Sequence, residues 1–262
     1  MSKNHKTMPQ IIEINKNNLS DYPQVICFIN PEHKHYSLKI DWMKKRFKEG
    51  LKIKLLQTEN DQKIVGFIEY IPGDYTWRAV NAKTYLFIHC LWVYPNKHKS
   101  KGLGSVLVEE VVADAKKQKM NGVAVVTSDG SFMAKKDLFI KNSFELIEEK
   151  DGFQLLAQGF NKKTAKPYFI NNEKAFKKYH GWHIIYSKQC PWVARFIEEV
   201  KPIIEKQSLK ITFHEITSAK AAQSAPSIYA VFNLIKDGRL LADRYISTTR
   251  FLNIIKKIRS IN

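Results

Sequence analysis

The run TYLFIHCLWVY, residues 84–94, is apolar or aromatic at nearly every position. A strand with one face in water alternates apolar and polar residues, whereas an unbroken apolar run reads as a strand covered on both faces. Such a strand belongs at the centre of a sheet, which commits this part of the chain to a layered α/β architecture. The next segments narrow the choice. A basic loop, PNKHKSKGLG, leads into GSVLVEEVVADAKKQKM, where Val106, Leu107, Glu110 and Val111 set the faces of an amphipathic helix. NGVAVVTS then supplies a second buried strand.

The remaining pattern is built around these pieces. Upstream, QIIEIN reads as a strand, and LSDYPQVICFIN and SLKIDWMKKRFKEG as helices, the second stopped by Gly50. LKIKLLQT and KIVGFIEYIP flank ENDQ as a hairpin. Downstream, MAKKDLFIKN reads as a short helix, and FELIEEKDGFQLLAQGF as two strands joined at Asp151-Gly152. Residues 161–180 lose periodicity and gain Lys and Asn, the signature of a linker. After them comes a fresh βαβ-ββα pattern: GWHIIYS, QCPWVARFIEEVKPIIEKQ, LKITFHEI, a hairpin turning at Asp237-Gly238, and the closing helix TRFLNIIKKIRS. The expected division is therefore 1–160, a linker at 161–180, and a small domain at 181–262.

Bulk properties exclude some classes. The chain has 262 residues, 44% hydrophobic and 26% charged, so it can bury a core and is not broadly disordered. No apolar run is long enough to span a membrane, and MSKNHKTMPQ lacks the apolar stretch of a signal peptide. The three cysteines, Cys27, Cys90 and Cys190, lie far apart, which makes neither a disulfide framework nor a metal cluster and suits a reducing cytoplasm. Cys27 and Cys90 sit in apolar runs and are expected to be buried. The net charge of +18 raises the question of a polyanionic partner, but the lysines are dispersed and no basic stripe carries interleaved aromatics, so nucleic acid is not the expected partner.

The loop before the amphipathic helix carries the chemistry. Gly102 and Gly104 open a helix whose first N–H groups lack internal acceptors and whose dipole favours an anion, and Lys97, Lys99 and Lys101 surround it. By itself this is either an anion cradle or an ordinary strand-to-helix turn. It is neither a P-loop nor a dinucleotide fingerprint, because no Gly-Lys-Ser/Thr follows and the third glycine is missing.

The order strand, WVYP, Lys99-x-x-Gly102-x-Gly104, long helix, strand, short helix, KNSFEL resembles the Gcn5-related N-acetyltransferase superfamily over residues 10–160. It is most similar to the branch with a second, YoaP-type domain. Lys99 stands where that family has Gln or Arg, and one extra residue separates Pro95 from the glycines. The resemblance implies the acyl-CoA N-acyltransferase fold, a mixed central sheet with splayed strands, here 85–94 and 122–127. It implies acetyl-CoA as co-substrate, with no metal, and an amine acceptor that is a small molecule or a peptide. It places the diphosphate on the backbone of Lys99, Ser100, Lys101, Gly102, Leu103, Gly104 and Ser105, the pantetheine along Trp92 and Val93, and the thioester carbonyl at the Val93 amide. The family's usual acid, a Tyr, is Phe139 here, and Ser143 replaces the usual Gly before Phe144. Tyr94 and Ser143 are the remaining candidates for that proton. For the base the candidates are His89, otherwise a core histidine, and Glu69, otherwise an exposed strand carboxylate. His89 is taken to share strand parity with Phe87, Leu91 and Val93. Tyr70, Tyr75, Trp77 and Arg78 form a candidate acceptor-pocket cluster.

In residues 181–262, Cys190 precedes Pro191 at a helix start, and Pro226 precedes a strand and hairpin. The pair resembles the thioredoxin fold, in which such a cysteine faces a proline. The position of a second thiol is Val193, so dithiol exchange is not expected. Cys190 remains open between a recruiting or packing remnant, a monothiol and a soft-ligand site.

Overall fold

The computed structural model describes residues 9–23, 27, 29–59, 61–94, 102–130 and 133–260. In chain order the strands are β1 (Gln10–Ile14), β2 (Lys52–Gln57), β3 (Ile64–Pro72), β4 (Val80–Asn81), β5 (Tyr85–Val93), β6 (Gly122–Thr127), β7 (Glu145–Lys150), β8 (Phe153–Gly159), β9 (Tyr168–Phe169), β10 (Trp182–Ser187), β11 (Ile211–Ile216), β12 (Phe232–Lys236) and β13 (Arg239–Ala242). The helices are α1 (Lys34–Arg46), α2 (Leu103–Lys117), α3 (Lys136–Lys141), α4 (Pro191–Lys206), α5 (Ala219–Gln223) and α6 (Thr248–Arg259). They form two compact units, Met1–Asn30 with Lys44–Gly73 and Ala82–Pro167, and Pro31–Met43 with Asp74–Asn81 and Tyr168–Asn262.

The first unit holds a seven-stranded sheet in the order β1-β2-β3-β5-β6-β8-β7. The apolar run at 84–94 is its central strand, with β3 antiparallel on one side and β6 parallel on the other. Leu86, Ile88 and Val93 of β5 join Leu107, Val108 and Val111 of α2 in one core, with Phe139 and Phe144. The β7–β8 turn places Asp151 and Gly152 at φ 52° and 74°, as a two-residue hairpin with both central residues left-handed requires. Gly50 adopts φ 87° after the basic last turn of α1 and a 3₁₀ turn, which is the expected stop. The helix expected from LSDYPQVICFIN is not the observed structure at its start. Leu19–Asp21 makes only a 3₁₀ turn, and Tyr22, held out of the helical region by Pro23, sits at φ −124°, ψ 56°. Residues 24–26 and 28 lie outside the described residues.

α2 is tied to the sheet by charge as well as by its apolar face. Lys52 and Lys54 share the α2-facing side of β2 with Leu56, and Glu110 and Asp114 lie one helical turn apart on α2. Lys54 Nζ lies 2.8 Å from Glu110 Oε2 and 3.3 Å from Asp114 Oδ1, and Lys52 Nζ lies 2.9 Å from Asp114 Oδ2. Tyr70 of β3 donates its hydroxyl to Asp114 at 2.5 Å. The Lys54 and Asp114 side chains are only 7% and 14% exposed, so these contacts are weakly screened. Burial opposes ionisation of Asp114, but the hydrogen bonds from Tyr70 and Lys52 and the two lysine charges outweigh it and hold its carboxyl below the usual range.

The second unit has a four-stranded sheet, β11-β10-β12-β13, in which β10 runs parallel to β11 and antiparallel to β12. α4 and α6 bury Val193, Phe196, Val200, Phe251 and Ile255 in its core. Residues 161–180 include β9, paired with β4, and a 3₁₀ helix at Glu173–Lys178. The Tyr179 carbonyl after this helix accepts from Gly238 at 2.7 Å, and Asp237 accepts from the Gly181 amide at 2.6 Å, so the chain at 179–181 is fixed to the β12–β13 turn.

Asp114→Asn should lower stability at neutral pH by about 2–3 kcal/mol, since it removes one side of a largely buried ion-paired cluster. The folded pKa is depressed, so the contribution is complete above the unfolded carboxyl value of about 4 and disappears as pH falls through the lower folded value. Urea unfolding of both proteins near neutrality and at about pH 3 checks this: the stability gap narrows as the pH falls.

Candidate active site

β5 and β6 pair only from Tyr85↔Gly122 to Ile88↔Val125, although β5 continues to Val93 and β6 to Thr127. The strands part at a β-bulge. Against β3, Glu69 faces Cys90 and Tyr70 faces Ile88, which leaves His89 as the extra residue. Beyond the bulge the ladder to β3 resumes, and Tyr94 donates to Val65 at 2.8 Å. In an antiparallel ladder successive residues direct their backbone groups to opposite sides, so the N–H and C=O of Val93 turn away from β3, toward the side β6 has left.

The bulge changes which side chains share a face. Leu86 and Ile88 before it and Leu91 and Val93 after it all join the core under α2. The parity expected for His89 holds for Phe87, whose ring lies 5.8 Å away, but not for Leu91 and Val93, from which the inserted residue separates it. His89 Nδ1 is 3.4 Å from Glu69 Oε1. The Glu69 and His89 side chains are 2% and 0% exposed. Glu69 is thus not an exposed strand carboxylate.

α2 begins where expected. Gly102 is its N-cap at φ 80°, a left-handed conformation that favours glycine, and an added Cβ there would meet none of the described residues within 4 Å. Gly104 faces Leu138 of α3, whose Cδ1 would lie 3.2 Å from an added Cβ. The amides of Leu103, Gly104 and Ser105 precede the first α-helical bond, made by Val106 to Gly102 at 3.2 Å, so they have no acceptor within the helix. Lys99, Ser100 and Lys101, with Lys97, lie outside the described residues. Trp92 is half-buried and packs edge-on to Tyr94, which is half-exposed.

Phe139 and Ser143 are explained by how α3 ends. Ser143 donates to Ile140 at 3.0 Å and Phe144 to Phe139 at 3.0 Å, the paired bonds of a Schellman motif. The Phe139 and Phe144 rings meet edge-on at 5.4 Å and supply the motif's apolar contact. Phe139 is fully buried and offers no proton, while Ser143 is exposed at φ 64°, the left-handed position a glycine would fill. Asn142, which sequence reasoning passed over, reaches from the end of this helix to Ser105 at 2.9 Å.

The proposed aromatic cluster is dispersed. Tyr70 is committed to Asp114, Tyr75 is 45% exposed, and Trp77 is buried edge-on to Trp42 at 5.1 Å. Arg78 is buried over the Tyr229 ring and donates to Gln189 at 2.7 Å. In the second unit, Cys190 is the half-buried N-cap of α4, Pro191 opens the helix, and Val193 is sealed in the core. Pro226 is buried between α5 and β12. Cys27 is buried as expected, but Cys90, next to the bulge, is partly exposed. Among the described residues no group of three or more His, Cys, Asp or Glu is placed to hold a metal, and no helix is long and apolar enough to cross a membrane.

Residues 17–135 match the family model described as "Acetyltransferase (GNAT) family". A Bacillus subtilis (strain 168) protein named "Uncharacterized N-acetyltransferase YoaP" is 28% identical over 253 residues, covering 94% of this chain and 98% of that protein. Among solved structures, a GNAT-family acetyltransferase from Staphylococcus aureus Mu50 is 18% identical, with a TM-score of 0.44, over 58% of this chain and 99% of its own. The structure of yncA from Salmonella typhimurium with its cofactor acetyl-CoA is 15% identical, with a TM-score of 0.43, over 60% and 96%.

Replacing Ser143 by glycine should stabilise the protein by about 1 kcal/mol, because the left-handed conformation costs a side-chain-bearing residue roughly that much. Thermal and urea unfolding of Ser143→Gly read the gain directly, and no gain would mean the hydroxyl compensates for the backbone.

Proposed function

We propose that the chain, whose residues 17–135 match the acetyltransferase (GNAT) family model, transfers acetyl from acetyl-CoA to an amine by direct attack within a ternary complex. One observation carries the site assignment: β5 loses its β6 neighbour at the His89 bulge, and α2 begins after Gly102, where an added Cβ would meet none of the described residues within 4 Å. An extended pantetheine arm fits beside β5 past Ile88, where the backbone of Val93 has turned outward. An anionic diphosphate fits the first turn of α2, where the amides of Leu103, Gly104 and Ser105 and the helix dipole converge. Lys99, Ser100 and Lys101 would extend this cradle and add charge.

Acetyl-CoA supplies a thioester carbonyl that an amine can attack. The Val93 amide would hold the carbonyl oxygen and stabilise the negative charge that gathers on it. The amine nitrogen forms a bond to the carbonyl carbon, the carbon–sulfur bond breaks, CoA leaves as thiolate, and the amine gives up one proton. Glu69 and His89, in contact on the face of β5 away from α2, would take that proton, directly or through water. Tyr94, half-exposed just past Val93, and Ser143 are the remaining donors for the thiolate. The acceptor is a small-molecule or peptide amine.

In the second unit, the sheet order, the parallel β10–β11 pair and Cys190 at the start of α4 support the thioredoxin-like reading. With Val193 buried where a second thiol would stand, the unit serves recruitment or packing rather than dithiol exchange.

Gly102→Asp places a carboxylate at the cradle and should abolish measurable CoA binding by calorimetry; unchanged affinity would refute the loop assignment. Glu69→Gln should lower kcat about 100-fold or more with little change in the KM for acetyl-CoA, if it belongs to the proton path. Cys190→Ser should leave acetyl transfer at the wild-type rate, and a loss comparable to that of Gly102→Asp would make the thiol part of the reaction.

A further inference from the structure

Asn142 closes α3 and touches the first turn of α2. Its Nδ2 lies 2.7 Å from the Leu138 carbonyl oxygen and 2.9 Å from Ser105 Oγ. A backbone carbonyl can only accept, so the amide nitrogen must face it, and this fixes which way the Asn142 side chain is turned. The same nitrogen faces Ser105, so Ser105 Oγ is the acceptor of that bond. A serine hydroxyl has one hydrogen, and here Asn142 does not consume it. Ser105 is also the third residue of α2, on the turn whose backbone amides lack helical acceptors.

The side chain of Asn142 is not needed to end α3. The Schellman bonds from Ser143 and Phe144 and the Phe139–Phe144 contact already do that. Its reach to Ser105 adds something else, a fixed donor–acceptor polarity at the start of α2. Leu138 adds position, since it lies against Gly104 one residue earlier.

We propose that Asn142 is a positioning residue for acetyl-CoA: by donating to Ser105 Oγ it keeps the Ser105 hydroxyl turned outward as a donor to a diphosphate oxygen. The proposal rests on reading the first turn of α2 as the diphosphate cradle. A hydroxyl already accepting a hydrogen bond is a stronger donor, and a bond to an anionic oxygen is stronger than one between neutral groups.

The test is a double-mutant cycle on the CoA dissociation constant, measured by calorimetry for wild type, Asn142→Ala, Ser105→Ala and the double variant. Each single change should weaken CoA about tenfold, and the double variant no more than the weaker single. Acetyl-pantetheine, which lacks the diphosphate, should bind wild type and Asn142→Ala equally. Asn142→Leu, which fills the same volume without a donor, should repeat the alanine result with an unchanged melting temperature. Asn142→Asp should weaken CoA further, because its carboxylate would capture the serine hydrogen. Wild-type CoA affinity in Asn142→Ala, multiplicative losses in the double variant, or equal weakening of acetyl-pantetheine would each overturn the proposal. Gly102→Asp separates the two layers: if it abolishes CoA binding while Asn142→Ala does not weaken it, only the role of Asn142 falls, whereas if it binds CoA normally the cradle itself is wrong.

Discussion

One extra residue in β5 governs the proposed site. A sheet holds its strands together by a continuous ladder, and an insertion on one strand costs a local break in pairing and a change of direction. Here the ladder to β3 absorbs the insertion at His89 and resumes, while the ladder to β6 ends at Ile88↔Val125. The strand therefore stays anchored to β3 along one edge, while its other edge parts from β6 beyond Ile88. The same insertion turns Leu91 and Val93 toward α2 and leaves His89 beside Glu69 on the other face. The outward turn of the Val93 backbone and the Glu69–His89 contact are two results of one displacement.

Such an open edge is useful only if the helix that comes after it is fixed in relation to it. Two lysines on one side of β2 and two carboxylates one turn apart on α2 meet with Tyr70 between them. Apolar contacts alone would permit the helix to slide or rotate, since they are not directional. Charged hydrogen bonds in a weakly screened place set a register. α3 braces the other end of α2 through Leu138 and Asn142, so the helix is held at two places along its length.

Much of this architecture was legible because its signals are periodic. The unbroken run at 84–94 identified the central strand, Asp151-Gly152 and Asp237-Gly238 marked their hairpins, and the glycine turn announced α2. The bulge was not legible: no residue type signals it, and counting by twos through His89 put that side chain on one face with Leu91 and Val93. The lysine–carboxylate clamp did leave a signal, Lys52 and Lys54 alternating with Ile53 and Leu55 in β2, with Glu110 and Asp114 on one helix face. It was missed because charged residues are read first as solvent-facing. Tyr70, Tyr75, Trp77 and Arg78 looked like a cluster because they are close in sequence, yet each has its own separate surroundings. Proximity along a chain carries no information about direction once a strand gives way to a turn.

The second compact unit is assembled from three stretches of sequence, with Pro31–Met43 and Asp74–Asn81 joining the long C-terminal portion. Within it, Trp42 meets Trp77, β4 pairs with β9, and Ala79 donates to the Ile228 carbonyl at 3.0 Å. A unit of this kind cannot be excised by a single cut or moved between proteins by a single crossover. A fragment starting after residue 180 would expose the surfaces those earlier stretches cover, and its failure to dissolve or fold would say nothing against the integrity of the unit. Any division of labour in this chain has to be sought with point substitutions in the intact polypeptide, since its two halves are interleaved in the order in which they are synthesised.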